Sequence, residues 1–296
     1  MPDRDEYLPG VPCWVDTSQP DPDGAAIFYG GLFGWDLENV MPEESGAKYY
    51  IGRIRGGDVA AIGPQQEGAP PMAVWNTYIA VDSADQTADR VRAAGGRVLA
   101  EPFDVMEAGR MATCADPEGG VFCIWQAGNT KGARVVNEAG ALTFNGLATR
   151  DLEGAKAFYG AVFGWETLDI GGAFTAWTLP GYGDHLEERN PGLRKMIEES
   201  GAQRGFEDVV AAVNPITPDQ GDVPAHWSVT FGTDDADVTA AKAAELGGTV
   251  IVAPFDAPWV RMTVIADPQG ATFTASKFVP ENRDLGAPAE TAPSAA

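Results

Sequence analysis

The stretch Ile27–Trp35 reads IFYGGLFGW, and Ala157–Trp165 reads AFYGAVFGW. A phrase that returns at an offset of 130 constrains the fold strongly, because a duplicated chain must bury its core twice in the same way. The echo continues beyond it. Asp21, Phe28 and Phe33 match Asp151, Phe158 and Phe163. Ala93–Asp104, AAGGRVLAEPFD, returns as Glu245–Asp256, ELGGTVIVAPFD, and Ala115–Trp125, ADPEGGVFCIW, returns as Ala266–Ser276, ADPQGATFTAS. There the offset has grown to 151 or 152, so the second copy carries about 21 extra residues in its middle. A chain of 296 residues suits two domains. We read them as 10–127 and 141–278, joined by a linker over 128–140, with a disordered tail over 281–296 that is poor in large apolar residues.

Each copy itself contains two units. A strand (PCWVDTS, LTFNGLAT) leads into a helix ending in Phe-Tyr-Gly, and further strands follow. A second strand (WNTYIAVD, HWSVTFGTD) leads into a helix that stops at Gly-Gly, and strands follow again. The Asp-Pro-x-Gly of each copy is turn chemistry, with Pro presetting one turn residue and Gly supplying positive φ. Strand, helix and several strands, four times over, predict an α+β fold with mainly antiparallel sheets.

A net charge of −23 repels nucleic acid and anionic membrane, so neither is expected as a partner. MPDRDEYLPG has no apolar core of a signal peptide, and no run approaches membrane-spanning length. Cys13, Cys114 and Cys123 are too few, and odd in number, for a disulfide framework, and a cytoplasmic setting is expected. Cys114 and Cys123 flank one hairpin and are placed to face each other across it, as buried thiols rather than nucleophiles.

The phrases AKAFYGAVFGW, AAKAAELGG and DPQGATF resemble the vicinal oxygen chelate superfamily, which includes glyoxalase I, bleomycin-resistance proteins and extradiol dioxygenases. The likeness is to its two-domain, glyoxalase-like actinobacterial members and covers nearly all of the chain outside the tail. It implies tandem βαβββ modules, four in all, curled into two cup-shaped sheets. It also implies a site inside a cup where many members hold a divalent metal with His, Glu or Gln.

Matched onto this sequence, the ligand positions fall near Trp14–Asp16 and Phe144–Gly146 on the first strands, on Asn76 and Ser228, and on Cys123 and Thr274. Asp16, Asn76 and Cys123 make a mismatched donor set, and the second domain offers only His226. No metal and no other cofactor is therefore expected. Strand alternation puts Trp227, Val229 and Phe231 under a helix and leaves His226, Ser228 and Thr230 to face a cup, with Asn76, Tyr78 and Ala80 doing so in the first domain.

The lining expected is thus Trp14, Asn76, Tyr78, Cys123, Trp125, Phe144, Trp177, His226, Ser228 and Thr274, which suits a flat, largely apolar ligand. The extra segment near 181–206 is expected to form a lid over the second cup, with Tyr182 or His185 reaching inward. Within it Asn190 is placed to cap a helix that Gly201 stops. The resulting expectation is a metal-free monomer that binds an aromatic or polyketide-like molecule, in antibiotic resistance, sequestration or biosynthesis, beside a tailoring enzyme of the pathway. The alternative is an enzyme: a metal-dependent lyase or dioxygenase, or a cofactor-free oxygenase or isomerase with Asp16 or His226 as base.

Overall fold

The computed structural model describes residues 3–65, 72–171, 174–283 and 285. The first copy forms β1 (Pro12–Gln19), α1 (Pro22–Phe33), β2 (Asp36–Asn39), β3 (Tyr50–Ile54), β4 (Gly57–Pro64), β5 (Val74–Ala80), α2 (Ala84–Ala93), β6 (Arg97–Val105), β7 (Gly109–Ala115) and β8 (Val121–Ala127). Its strands make one sheet in the order β2-β3-β4-β1-β5-β8-β7-β6. The second copy repeats the plan. Its strands are β9 (Leu142–Thr149), β10 (Glu166–Gly171), β11 (Phe174–Thr178), β12 (Val209–Pro215), β13 (His226–Gly232), β14 (Thr249–Ala257), β15 (Val260–Ala266) and β16 (Thr272–Phe278). Its helices are α3 (Leu152–Phe163) and α6 (Ala236–Glu245), with α4 (Tyr182–Arg189) and α5 (Leu193–Ser200) inserted between β11 and β12. The sheet order β10-β11-β12-β9-β13-β16-β15-β14 matches the first position by position. Each sheet is two βαβββ modules joined through the antiparallel pairs β1–β5 and β9–β13. Most of the expected tail, 284 and 286–296, lies outside the described residues.

The repeated phrase is explained by its two ends. Asp21 and Asp151 accept from the backbone N–H of Gly24 and Gly154 and so start α1 and α3. Gly34 and Gly164 end those helices at φ 71° and 73°, a left-handed conformation that a Cβ disfavours. The aromatics between pack between the two domains rather than within each one. α1 with Trp35 and Trp75 shares a core with Val229, Phe231, Ile265 and Phe273 of the second copy. α2 with Ile79, Phe122 and Ile124 shares another with Phe158, Tyr159, Trp165, Trp177 and Trp227.

Hydrogen bonds lock this arrangement reciprocally. Trp75 Nε1 donates to the Tyr29 hydroxyl (3.0 Å), which donates to Asp267 (2.9 Å) in the turn of the other copy. Trp227 Nε1 donates to the Tyr159 hydroxyl (2.9 Å), which donates to Asp116 (2.9 Å). The Asp of each Asp-Pro-x-Gly therefore holds its own turn, through the backbone N–H groups of Gly119 and Gly120 or of Gln269 and Ala271, while accepting a tyrosine from across the interface. Burial raises the Asp116 carboxyl above its ordinary range, against those hydrogen bonds.

Two cups of one design

With the helices on one face of each sheet, the opposite face forms a cup. In the first, Trp14, Tyr78, Ala80, Cys123 and Trp125 pack with Ala61, Tyr49, Ile51 and Met111 into a closed cluster. Trp14, Tyr78 and Trp125 are each less than a tenth exposed. Tyr78 meets Trp125 edge-on, ring centroids 6.4 Å apart, and the Trp125 indole donates to the Thr130 carbonyl (2.9 Å) in the linker. Asp16 lies among them. One of its oxygens accepts from Asn76 Nδ2 (2.8 Å), the other from the hydroxyls of Tyr78 (2.8 Å) and Tyr49 (3.0 Å). Burial pushes its carboxyl above the usual range, opposed by these three bonds, and holds the Cys123 thiol well above its own.

The second cup keeps the register and loses the bulk. Phe144 pairs with Thr230 and Gly146 with Ser228 across β9–β13, as Trp14 pairs with Tyr78 and Asp16 with Asn76 across β1–β5. Thr230 neighbours Thr274, as Tyr78 neighbours Cys123. Ser276 stands where the first cup has Trp125. Phe144, Ser228, Thr230, Thr274 and Ser276 are all partly exposed, in contrast to the buried rings at the matching positions of the first cup. The Ser228 hydroxyl donates to the Gly146 carbonyl (3.1 Å). His226 shares the Ser228 face of β13 but sits exposed at the strand's start, its Nδ1 2.9 Å from the Pro224 carbonyl.

Three expected residues lie elsewhere. Trp177 is fully buried on the helix side, with ring centroids 5.5 Å from Tyr159 and 5.7 Å from Trp165. Its register partners Thr167 and Ala211 share that face, so alternation gives the cup Ala176 instead. Tyr182 joins the same core and accepts a hydrogen bond from Arg4 (2.6 Å), whose guanidinium lies over the Tyr7 and Tyr182 rings. His185 stands 3.9 Å from Glu6. The start of the inserted segment is therefore bound to the N-terminal arm, not aimed into the cup. Asn190 ends α4 instead of starting a helix, and the Glu187 carboxylate caps α5 by accepting from Gly192 and Arg194 N–H. Those two bonds hold Glu187 below its ordinary range. Cys114 and Cys123 do not face each other either: Cys114 pairs with Phe122 and Cys123 with Thr113, on opposite faces of the sheet.

The far end of the insertion does reach the cup. Gly205 sits 3.6 Å, at its Cβ position, from Leu168, whose register partner Ala176 pairs in turn with cup-facing Ala212. Gln203 Nε2 donates to the Asp169 carbonyl. Gly201 lies beside Trp259, in the β14–β15 turn. Sequence reasoning missed Trp259, because the matching β6–β7 turn has Met106 at positive φ and no aromatic. It also missed Ser276, although the match of ADPEGGVFCIW to ADPQGATFTAS already set that serine against Trp125.

A family model, the Glyoxalase/Bleomycin resistance protein/Dioxygenase superfamily, matches residues 14–124 and 141–274. The chain belongs to that superfamily. It is 39% identical over 286 residues to the glyoxylase-like protein CFP32 of Mycobacterium tuberculosis, covering 95% of this chain and 100% of that one. It is 34% identical over 281 residues to the anthracycline biosynthesis protein DnrV of Streptomyces peucetius, covering 90% and 93%. Among solved structures the Mn(II)-bound glyoxalase from Novosphingobium aromaticivorans shares the fold, at TM-score 0.58 and 17% identity over 91% of this chain and 82% of that one.

At the cup positions that the family resemblance marks for a divalent metal, the residues present here do not fit one. In the first cup both oxygens of Asp16 accept hydrogen bonds from neighbours, and burial holds the Cys123 thiol above its ordinary range. The second supplies Gly146, Ser228 and Thr274, and none of these is a strong ligand for a divalent cation. Among the described residues no three His, Cys, Asp or Glu converge to hold an ion, and no helix is long and apolar enough to cross a membrane.

Proposed function

We propose that this chain binds a flat, bulky aromatic molecule of antibiotic or polyketide type in the cup of the second sheet, through ring contact and hydroxyl hydrogen bonds rather than a metal. The observation that carries this reading is the exchange of side chains at matched register. Trp14, Asp16, Tyr78, Cys123 and Trp125 give way to Phe144, Gly146, Thr230, Thr274 and Ser276, so smaller side chains, most of them partly exposed, stand where the twin cup is packed with rings. One wall ring opposite a row of alcohols offers stacking area and groups that both donate and accept. The relationship to DnrV supports a setting beside the tailoring enzymes of an aromatic antibiotic, as carrier, sequestering protein or accessory. A monomer and a cytoplasmic location belong to the same reading.

The test is calorimetric titration with 1,8-dihydroxyanthraquinone as a flat, neutral probe. One molecule should bind per chain, and dialysis against EDTA should leave the affinity unchanged. Ser276→Trp, which copies the first cup into the second, should weaken binding at least tenfold, about 1.4 kcal/mol or more. Binding abolished by the chelator, or indifferent to Ser276→Trp, would defeat the reading.

A further inference from the structure

The second cup has a feature that the first lacks. Between β3 and β4 the first copy turns in two residues, Arg55 and Gly56, whereas the second inserts the segment carrying α4 and α5 between the corresponding strands. That segment leaves α5 at Gly201, beside Trp259, and returns to the sheet past Gly205, on Leu168. Leu168 belongs to edge strand β10, and Trp259 to the turn joining β14 and β15 at the other edge. The five residues Gly201–Gly205, whose ends are at most about 14 Å apart, thus run from one lip of the cup to the other.

Both ends of this strap are glycines in the left-handed region, Gly201 at φ 85° and Gly205 at φ 95°, where the chain can swing without a Cβ clash. Its middle, Gln203 and Arg204, is exposed, and the Gln203 amide fastens it to β10 at the Asp169 carbonyl. Trp259 is itself unusual. A bulky aromatic at φ 69° occupies a backbone region that costs about 1–3 kcal/mol and persists where the surroundings enforce it. Here the ring lies flat against Phe278, with centroids 6.2 Å apart and planes within 3°, and the Trp259 carbonyl accepts from Val279 N–H (2.7 Å). A strained, stacked ring on one lip meets a glycine-hinged strap from the other.

We infer that Gly201–Phe206 and Trp259 form a gate over the second cup, the strap resting beside the indole in this structure and swinging away on its two glycines to let a flat ligand pass. This rests on the proposed binding in that cup and adds what controls passage in and out. A gate slows arrival and departure together, whereas a wall residue changes departure alone.

Stopped-flow binding of 1,8-dihydroxyanthraquinone, followed by probe absorbance, separates the two. In Trp259→Ala and in Gln203→Ala, association and dissociation rate constants should both rise at least threefold, with the equilibrium constant changed less than threefold. Bound probe should also slow hydrogen exchange at the 201–206 amides of the wild-type chain. If the probe binds but neither variant changes association and the strap amides exchange as before, the gate is wrong and the binding site stands. If the probe does not bind the wild-type chain at all, the site and its gate fall together. Gln203→Ala removes one exposed side chain, so the test does not depend on Trp259→Ala folding.

Discussion

The two cups have one backbone plan and opposite interiors, while the helix-side interface between the copies is nearly identical in both directions. Trp75–Tyr29–Asp267 and Trp227–Tyr159–Asp116 repeat the same bonds to within 0.1 Å. The face that holds the molecule together has been kept twice. The face able to meet a ligand has diverged, one side toward a packed cluster of rings around Asp16, the other toward alcohols and open surface. The inserted segment, found only beside the second cup, follows the same division.

The comparison is broken most directly by cutting the same depth from both cups. Trp125→Ala opens a void in a closed cluster and should cost about 3–5 kcal/mol, whereas Phe144→Ala, at a partly exposed position, should cost about 1–2 kcal/mol. Urea unfolding of both variants checks this, and equal losses would mean that the first cup is no more closed than the second. Tyr159→Phe and Tyr29→Phe probe the symmetric face. Tyr159→Phe should lose about 1–3 kcal/mol, and Tyr29→Phe less, because Gln19 Nε2 still donates (2.6 Å) to the Asp267 oxygen that Tyr29 serves. The smallest effect concerns Asp16. Its folded carboxyl titrates above the unfolded value of about 4, so in that window the unfolded chain has released a proton that the folded one retains. Stability contributed by Asp16 is therefore present at low pH and is lost as pH rises through the window. Melting curves from pH 3 to 8 should show that slope in the wild type and a flatter profile in Asp16→Asn.

Much of the architecture was legible along the chain because its signals are local. Asp21 and Asp151 cap, Gly34 and Gly164 stop, and the alternation in HWSVTFG separates Trp227, Val229 and Phe231 from His226, Ser228 and Thr230. Trp177 was misread because its strand is short and shifts register beside it, between Trp177 and Thr178. Which way such a strand faces is decided by its neighbours β10 and β12, far off in sequence. Tyr182 and His185 were misread for a related reason: their partners Arg4 and Glu6 lie at the other end of the chain.

By itself the sequence determined the duplication, the order of strands and helices in each module, and which residue types stand at the matched positions of the two cups. Those follow from repeat, cap and residue chemistry, each readable within a few positions. Only the tertiary structure decided that the tyrosines of the repeated phrase bond across the interface, that the rings of the first cup pack into one cluster while the matching positions of the second stay partly exposed, and that the inserted segment runs from Trp259 to Leu168. Each of these depends on which side chains fill the same volume, and that competition exists only once distant strands have paired.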